Sequence, residues 1–161
     1  MQFSLASCKT EYLPELIRIY TDAVRHAAPG FYTEAQIEAW APLTADIPEW
    51  EASIEAHEAI VAMNHEDGVL GFADYHAKKL QINRLYVAPD AQGFGIGTRL
   101  LAEVEHALVQ LGLQEAFTLE SSLNARGFYE QQGYTCVGSR DVAFKGQSYR
   151  NLLMKKQIPG R

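Results

Sequence analysis

The stretch Val87-Ala88-Pro89-Asp90-Ala91-Gln92-Gly93-Phe94-Gly95-Ile96-Gly97-Thr98-Arg99-Leu100-Leu101 joins an apolar strand to an amphipathic helix through residues suited to gripping a phosphate. Pro89 and Asp90 stop the strand. Gly93, Gly95 and Gly97 open backbone conformations closed to other residues and let the chain approach a ligand closely. The N–H groups that begin the following helix have no intrahelical partner, so a pyrophosphate can accept them, assisted by the positive end of the helix dipole.

Three phosphate-binding patterns compete for this stretch, and spacing separates them. A Walker loop needs Gly-x-x-x-x-Gly-Lys-Ser/Thr, but Thr98 follows Gly97 and no lysine stands between Lys79 and Lys145. A dinucleotide fingerprint needs a third glycine where Leu100 stands, and an acidic residue about twenty positions on, for which Glu115 or Glu120 would have to be forced. What remains is Gln-x-x-Gly-x-Gly, formed by Gln92, Gly95 and Gly97. Further along comes Ala125-Arg126-Gly127-Phe128-Tyr129-Glu130-Gln131-Gln132-Gly133-Tyr134. The first pattern resembles the acyl-CoA loop of the GNAT superfamily of N-acetyltransferases. The second resembles that superfamily's helix carrying Phe-Tyr-Glu and closing on Gly-Tyr. Both occur in the family's order, and the pair is far more specific than either alone.

The rest of the chain is consistent with one domain over residues 1–161. That length can bury a substantial core without staples. With 47% hydrophobic and 21% charged residues, the composition is that of an ordinary globular protein, and no stretch approaches the ~18 apolar residues of a membrane span. Met1 to Leu5 carry neither a basic leader nor a long apolar region, so a cytoplasmic location is expected. Cys8 and Cys136 match no metal spacing and read as buried free thiols; the histidines at 26, 57, 65, 76 and 106 form no ligand pair, so no metal is expected. A net charge of −6 without a basic run argues against nucleic acid, including a tRNA-directed member of the family, and favours a cationic partner such as a primary amine.

Apolar spacing places a first strand around Leu5, then a helix with Leu13, Leu16, Ile17, Tyr20 and Val24 on one face. Thr33-Glu34-Ala35-Gln36 is a capping box before a short helix with Ile37 and Trp40, and Pro48 opens another with Trp50 and Ile54. Strands at 59–63 and 69–75 are joined around Asp67-Gly68, a hairpin signal, and a third runs over 80–87. Leu100, Leu101, Val104, Leu108 and Leu111 mark a long helix stopped by Gly112. A strand at 117–120, the Tyr129 helix, and strands at 134–144 and 149–154 follow. The order βααα-ββ-β-α-β-α-ββ makes an α/β protein, and the resemblance implies the GNAT (acyl-CoA N-acyltransferase) fold, a mixed, mostly antiparallel central sheet flanked by helices.

The resemblance also implies roles. Acetyl-CoA would be the co-substrate, with its phosphates on the amides of Gly93, Phe94, Gly95, Ile96, Gly97 and Thr98. Its pantetheine would lie along Leu85, Tyr86 and Val87, residues whose side chains can equally be core, and Gln92 matches the family's Gln or Arg. Tyr129 matches the general acid near the sulfur, and its phenol, of ordinary pKa about 10, is protonated at neutral pH; a half-buried structural tyrosine is the alternative. Phe128 reads as core. Many members carry an Asn seven positions before that Tyr; here Ser122 stands there and Asn124 lies five before, so either can make the contact. The strand position at which some members carry a catalytic Glu is Gln81, which cannot take a proton.

His76 has a suitable pKa for the base but also suits an exposed turn; Glu120, Glu34 and an ordered water are the alternatives. Tyr32, Glu34 and Trp40 lie in the region that walls the family's acceptor pocket, where aromatic rings and a carboxylate suit an amine. The Tyr-x-x-x-Gln-Ile-x-x-Trp pattern in that region also resembles a YafP-type bacterial subgroup. The expected activity is acetyl transfer to a primary amine of a small molecule or peptide, by direct attack in a ternary complex and without a nucleophilic Cys. The alternative is a CoA-binding regulatory module without turnover. A homodimer is compatible with the resemblance.

Overall fold

The computed structural model describes residues 1–66 and 68–160. Strands β1 (Ser4–Ser7), β2 (Glu58–Asn64), β3 (Gly68–His76) and β4 (Gln81–Val87) form one sheet in that order. Strands β5 (Ala116–Ser121), β6 (Thr135–Phe144) and β7 (Gln147–Gln157) form a second, with β7 in the middle. Every pairing between these strands is antiparallel. β4 and β5 lie against one another but belong to different sheets, so the hydrogen-bonded ladder is interrupted between them. That interruption positions the site. The β2–β3 pairing runs from Glu58↔Tyr75 to Asn64↔Gly68; the Asp67 half of the expected Asp-Gly turn lies outside the described residues.

Val69 to Asp74 are six consecutive buried residues of β3, so both faces of the sheet are covered there. Helices α1 (Leu13–Ala27) and α4 (Ile96–Gln110) both pack on β3 and β4 and supply that cover. On α4 the expected stripe of Leu100, Leu101, Val104 and Leu108 is buried and is joined by Ile96. Leu111 departs from it at 51% exposed, because it caps the helix before Gly112 turns the chain at φ +109. On α1 Ile19 is fully buried beside Leu16, whereas Ile17 is half-buried, which moves the apolar face by part of a turn.

The shorter helices are α2 (Glu34–Trp40), α3 (Ile47–Glu55) and α5 (Arg126–Gln131). The α2 capping box is made on both sides: Thr33 Oγ1 accepts from Gln36 N at 3.1 Å, and Gln36 Oε1 accepts from Thr33 N at 2.8 Å. The α3 cap is Asp46, whose Oδ1 accepts from Glu49 N, with Pro48 in the first turn. Both cysteines are free thiols, but they are half-buried rather than buried; burial and the nearby Asp74 carboxylate push the Cys8 thiol upward. No helix among the described residues is long and apolar enough to cross a membrane.

Two features bring polar groups to the sheet's interrupted edge. The β3–β4 register shifts between Asp74↔Arg84 and Tyr75↔Ile82, which leaves Asn83 as an extra residue in β4. The β6–β7 hairpin is tied back onto α2, with Tyr149 Oη donating to Gln36 O at 2.6 Å and Gln36 Nε2 donating to Ser148 O at 2.8 Å.

Candidate active site

A cavity of about 830 Å³ opens where β4 and β5 part. One wall is β4 from Asn83 to Val87, and the facing wall is Glu120, Ser121 and Ser122 at the end of β5. One end is closed by the glycine loop and the start of α4. Gly93 and Gly95 adopt φ +85 and +84, with no atom within 4 Å of where a Cβ would stand, so glycine is needed there for backbone conformation and not for space. Gly97 differs: a Cβ would come within 3.2 Å of the Phe128 ring, so its absence lets α4 settle against α5. Gly95 is the helix N-cap and offers no side chain, which leaves the N–H groups of Ile96, Gly97 and Thr98 without intrahelical acceptors at the cavity mouth. Gln92 Nε2 donates to Val87 O at 3.2 Å and pins the loop to the last residue of β4.

Behind the loop, Tyr129 is 7% exposed and lines the cavity, and its hydroxyl has no hydrogen-bond partner among the described residues. Burial, with a smaller contribution from the Tyr86 phenol, pushes its pKa well above the ordinary phenol value, so the proton stays on Oη at neutral pH. Its ring is held edge-on by Phe128 and Tyr134, at 5.2 and 5.8 Å between centroids. Nearby, Asn124 Oδ1 is buried without a hydrogen-bond partner. Such an acceptor in a cavity wall calls for a donor from a ligand.

At the other end the walls are aromatic. Tyr32, Trp40 and Tyr149 pack edge-on or tilted at 5.2 to 6.3 Å, and Tyr20 stands edge-on to Tyr86 at 4.8 Å. Tyr32 Oη accepts from Leu123 N at 2.8 Å, which ties the segment before α2 to the β5–α5 loop. Burial pushes the Tyr86 phenol up to about 12 and the Tyr20 phenol higher, so these rings are neutral. Glu120 is the cavity carboxylate. It accepts from Arg140 Nε and Nη2 at 2.7 and 2.8 Å and from Asn151 Nδ2 at 3.3 Å, and the Arg140 hydrogen bond, opposed by partial burial, holds its pKa below the usual carboxylate range.

Residues 30–157 match the family model described as an acetyltransferase (GNAT) domain. The chain belongs to the GNAT acetyltransferase family. Over 141 residues, 88% of this chain and 87% of the relative, it is 26% identical to the uncharacterized N-acetyltransferase YafP of Escherichia coli K12. A GCN5-related N-acetyltransferase from Rhodopseudomonas palustris superposes with a TM-score of 0.89 at 26% identity, covering 98% of this chain and 97% of that one. The PaiA N-acetyltransferase of Thermoplasma acidophilum, solved in complex with coenzyme A, shares the fold at a TM-score of 0.74 and 21% identity, covering 98% and 100%.

Of the residues singled out in this GNAT sequence, Leu85, Tyr86, Val87, Gln92, Gly93, Gly95, Ile96, Gly97, Thr98, Ser122, Asn124, Tyr129, Tyr32 and Trp40 all line the one cavity. Phe94 does not; its side chain is 50% exposed. Glu34 is exposed in the first turn of α2 and is absent from the cavity wall. His76 is also away from it. It ends β3 opposite Gln81, accepts from Lys79 N through Nδ1 at 3.1 Å, and packs edge-on against His57 at 5.6 Å. Neither His76 nor Gln81 borders the cavity, because Gln81 starts β4 and His76 pairs with it at the end of β3, whereas the cavity opens towards the other end of β4.

Sequence reading missed Tyr20, Asn83, Arg84, Val142, Phe144, Tyr149 and Asn151 as wall residues. The β6–β7 hairpin could have been suspected from its aromatic tip, Phe144 and Tyr149, since exposed turns rarely need two large rings. Among the described residues no group of three or more His, Cys, Asp or Glu side chains could hold a metal.

Proposed function

We propose that this chain, acting as one domain over residues 1–161, transfers the acetyl group of acetyl-CoA to a primary amine by direct attack in a ternary complex. The observation that carries the reading is the convergence, on one cavity, of a protonated and unpartnered Tyr129 phenol, the orphaned Asn124 Oδ1 and the open N–H groups of α4. These residues fit acetyl-CoA. The amides of Gly93 to Thr98 would receive its phosphates, Asn124 Oδ1 would accept from an amide N–H of the pantetheine arm, and Leu85 to Val87 would border that arm. When bound, acetyl-CoA supplies an activated acetyl thioester.

The remaining work falls to the chain. Tyr129 Oη holds a proton for the departing sulfur, and burial keeps that proton in place across the neutral range. Glu120, held as a carboxylate by Arg140, lines the cavity, and its Oε2, which takes a single hydrogen bond from Arg140, keeps a lone pair for an incoming ammonium. A carboxylate of lowered pKa is a weak base, so Glu120 orients the ammonium and the amine's proton is lost to solvent water before attack. His76 has no part in this, since it lies away from the cavity. Neither Cys8 nor Cys136 lines the cavity, which favours direct attack over an acyl-cysteine step.

Thiol release from acetyl-CoA across amino acids, polyamines, aminoglycosides and peptides, read beside CoA calorimetry, tests the proposal. Turnover with one acceptor class supports it. Tight CoA binding with no turnover on any amine would instead support a regulatory module, and absence of CoA binding would overturn both. Within this reading, Gly95→Val should raise the Kd for CoA about tenfold. A side chain at φ +84 costs about 1–2 kcal/mol per residue, the free loop relaxes away from it, and binding must restore the strained conformation.

A further inference from the structure

Arg84 is held in a way that its structural partner does not fully use. Asp74, 0% exposed in the middle of the sheet, accepts Arg84 Nε and Nη2 on Oδ2 at 3.0 and 2.7 Å. Its other oxygen takes Arg84 N at 2.8 Å and Asn83 Nδ2 at 3.1 Å. Asp74 is therefore saturated by one side of the guanidinium and by the bulge in β4. Trp50 lies against the guanidinium at 4.8 Å and Phe72 at 5.8 Å, which fixes its plane.

A guanidinium has five N–H donors, and Asp74 occupies two. Nη1 has no acceptor among the described residues, so the edge formed by Nη1 and the second hydrogen of Nη2 is left open. Arg84 borders both the main cavity and a smaller annex of about 90 Å³, and the two spaces share Tyr20, Trp40 and Phe144 as further walls. Arg84 therefore stands at the junction of the two spaces. A rigid fork with two parallel open N–H groups, in a site walled by rings, matches a carboxylate. A purely structural partner for Asp74 would need no such edge turned to a cavity. The same cavity holds the Glu120 carboxylate, which suits an ammonium.

We propose that the acceptor is a free amino acid, its carboxylate received by the open edge of Arg84 while its amine is turned towards Glu120 and the acetyl donor. This rests on the acetyltransferase reading above and narrows its substrate class.

The test measures thiol release from acetyl-CoA on the proteinogenic amino acids, each beside its amide and its decarboxylated amine. Wild type is compared with Arg84→Lys and with the double variant Asp74→Asn/Arg84→Gln, which removes both charges together and leaves no uncompensated buried ion. The expected result is turnover confined to free amino acids. In the double variant kcat/KM on the best amino acid should fall at least about 100-fold, mainly through KM, with Arg84→Lys intermediate and CoA affinity retained. Turnover equal or better on amides or decarboxylated amines would overturn the proposal, as would an amino-acid rate indifferent to both variants. Activity on polyamines or aminoglycosides but on no amino acid would overturn it while sparing the acetyltransferase reading; failure of acetyl-CoA to bind wild type would remove both.

Discussion

Tyr129→Phe is expected to lower kcat by about 10²–10⁴-fold, the range for loss of a positioned acid, while the Kd for CoA stays within a factor of about three. The substitution removes one oxygen and leaves the ring between Phe128 and Tyr134, so packing is preserved. No hydrogen bond within the described residues is lost, because the hydroxyl makes none. A loss in turnover could then arise only from the missing proton at the cavity. Single-turnover thiol release, read beside CoA calorimetry, separates chemistry from binding. An unchanged rate would reassign Tyr129 to packing and leave the departing thiolate to be protonated by solvent. The pH dependence should agree: because burial raises the phenol's pKa, the acid should not be lost on the alkaline side before about pH 10, its unperturbed value.

The raised tyrosines also affect stability at high pH. Tyr20, Tyr86, Tyr129 and Tyr134 all have folded pKa values above the unfolded one. The protonated phenols are compatible with the fold, so this contribution is complete below about pH 10 and is lost as pH rises through that value towards the folded ones.

Asp74→Ala should be the most destabilising single substitution at the site, at about 3–5 kcal/mol, the range for breaking a buried ion pair by removing one partner. Four donors lose their acceptor together: Arg84 N, Nε and Nη2, and Asn83 Nδ2. The guanidinium is left between Trp50 and Phe72 with little solvent, its side chain only 16% exposed. For a chain of this size the expected fall in Tm is roughly 6–20 °C, at about 2–4 °C per kcal/mol. Thermal unfolding followed by circular dichroism would measure it. A fall below about 3 °C would mean that water reaches Arg84 and that the pair is not energetically buried.

Much of the fold was legible because its signals are local. The strand–turn–glycine–helix order around Gly93 to Gly97, the box at Thr33 and Gln36, and the stripe from Leu100 to Leu108 each depend on neighbours within a few positions. Leu111 shows where that logic stops, since the spacing continued past the last helical turn and burial did not. At the site, the residues of the two motifs that line the cavity could be named individually. The aromatic end was named only in part, through Tyr32 and Trp40. Tyr149 and Phe144 reach the cavity only because the β6–β7 hairpin is fastened to α2, across more than a hundred residues. His76 was chosen for its pKa, yet chemistry suited to a base says nothing about which end of a strand faces the cavity.

By itself, then, the sequence determined the family, the order of elements and the motif residues at one end of the cavity, because glycine conformations, helix termini and apolar periodicity are properties of contiguous residues. Only the tertiary structure decided the rest of the facing wall. One extra residue at Asn83 shifts the β3–β4 register, placing Arg84 against the buried Asp74 with an open edge at the cavity. A bulge changes which face every later residue of a strand presents, and its position is set by pairing with another strand rather than by the residues beside it.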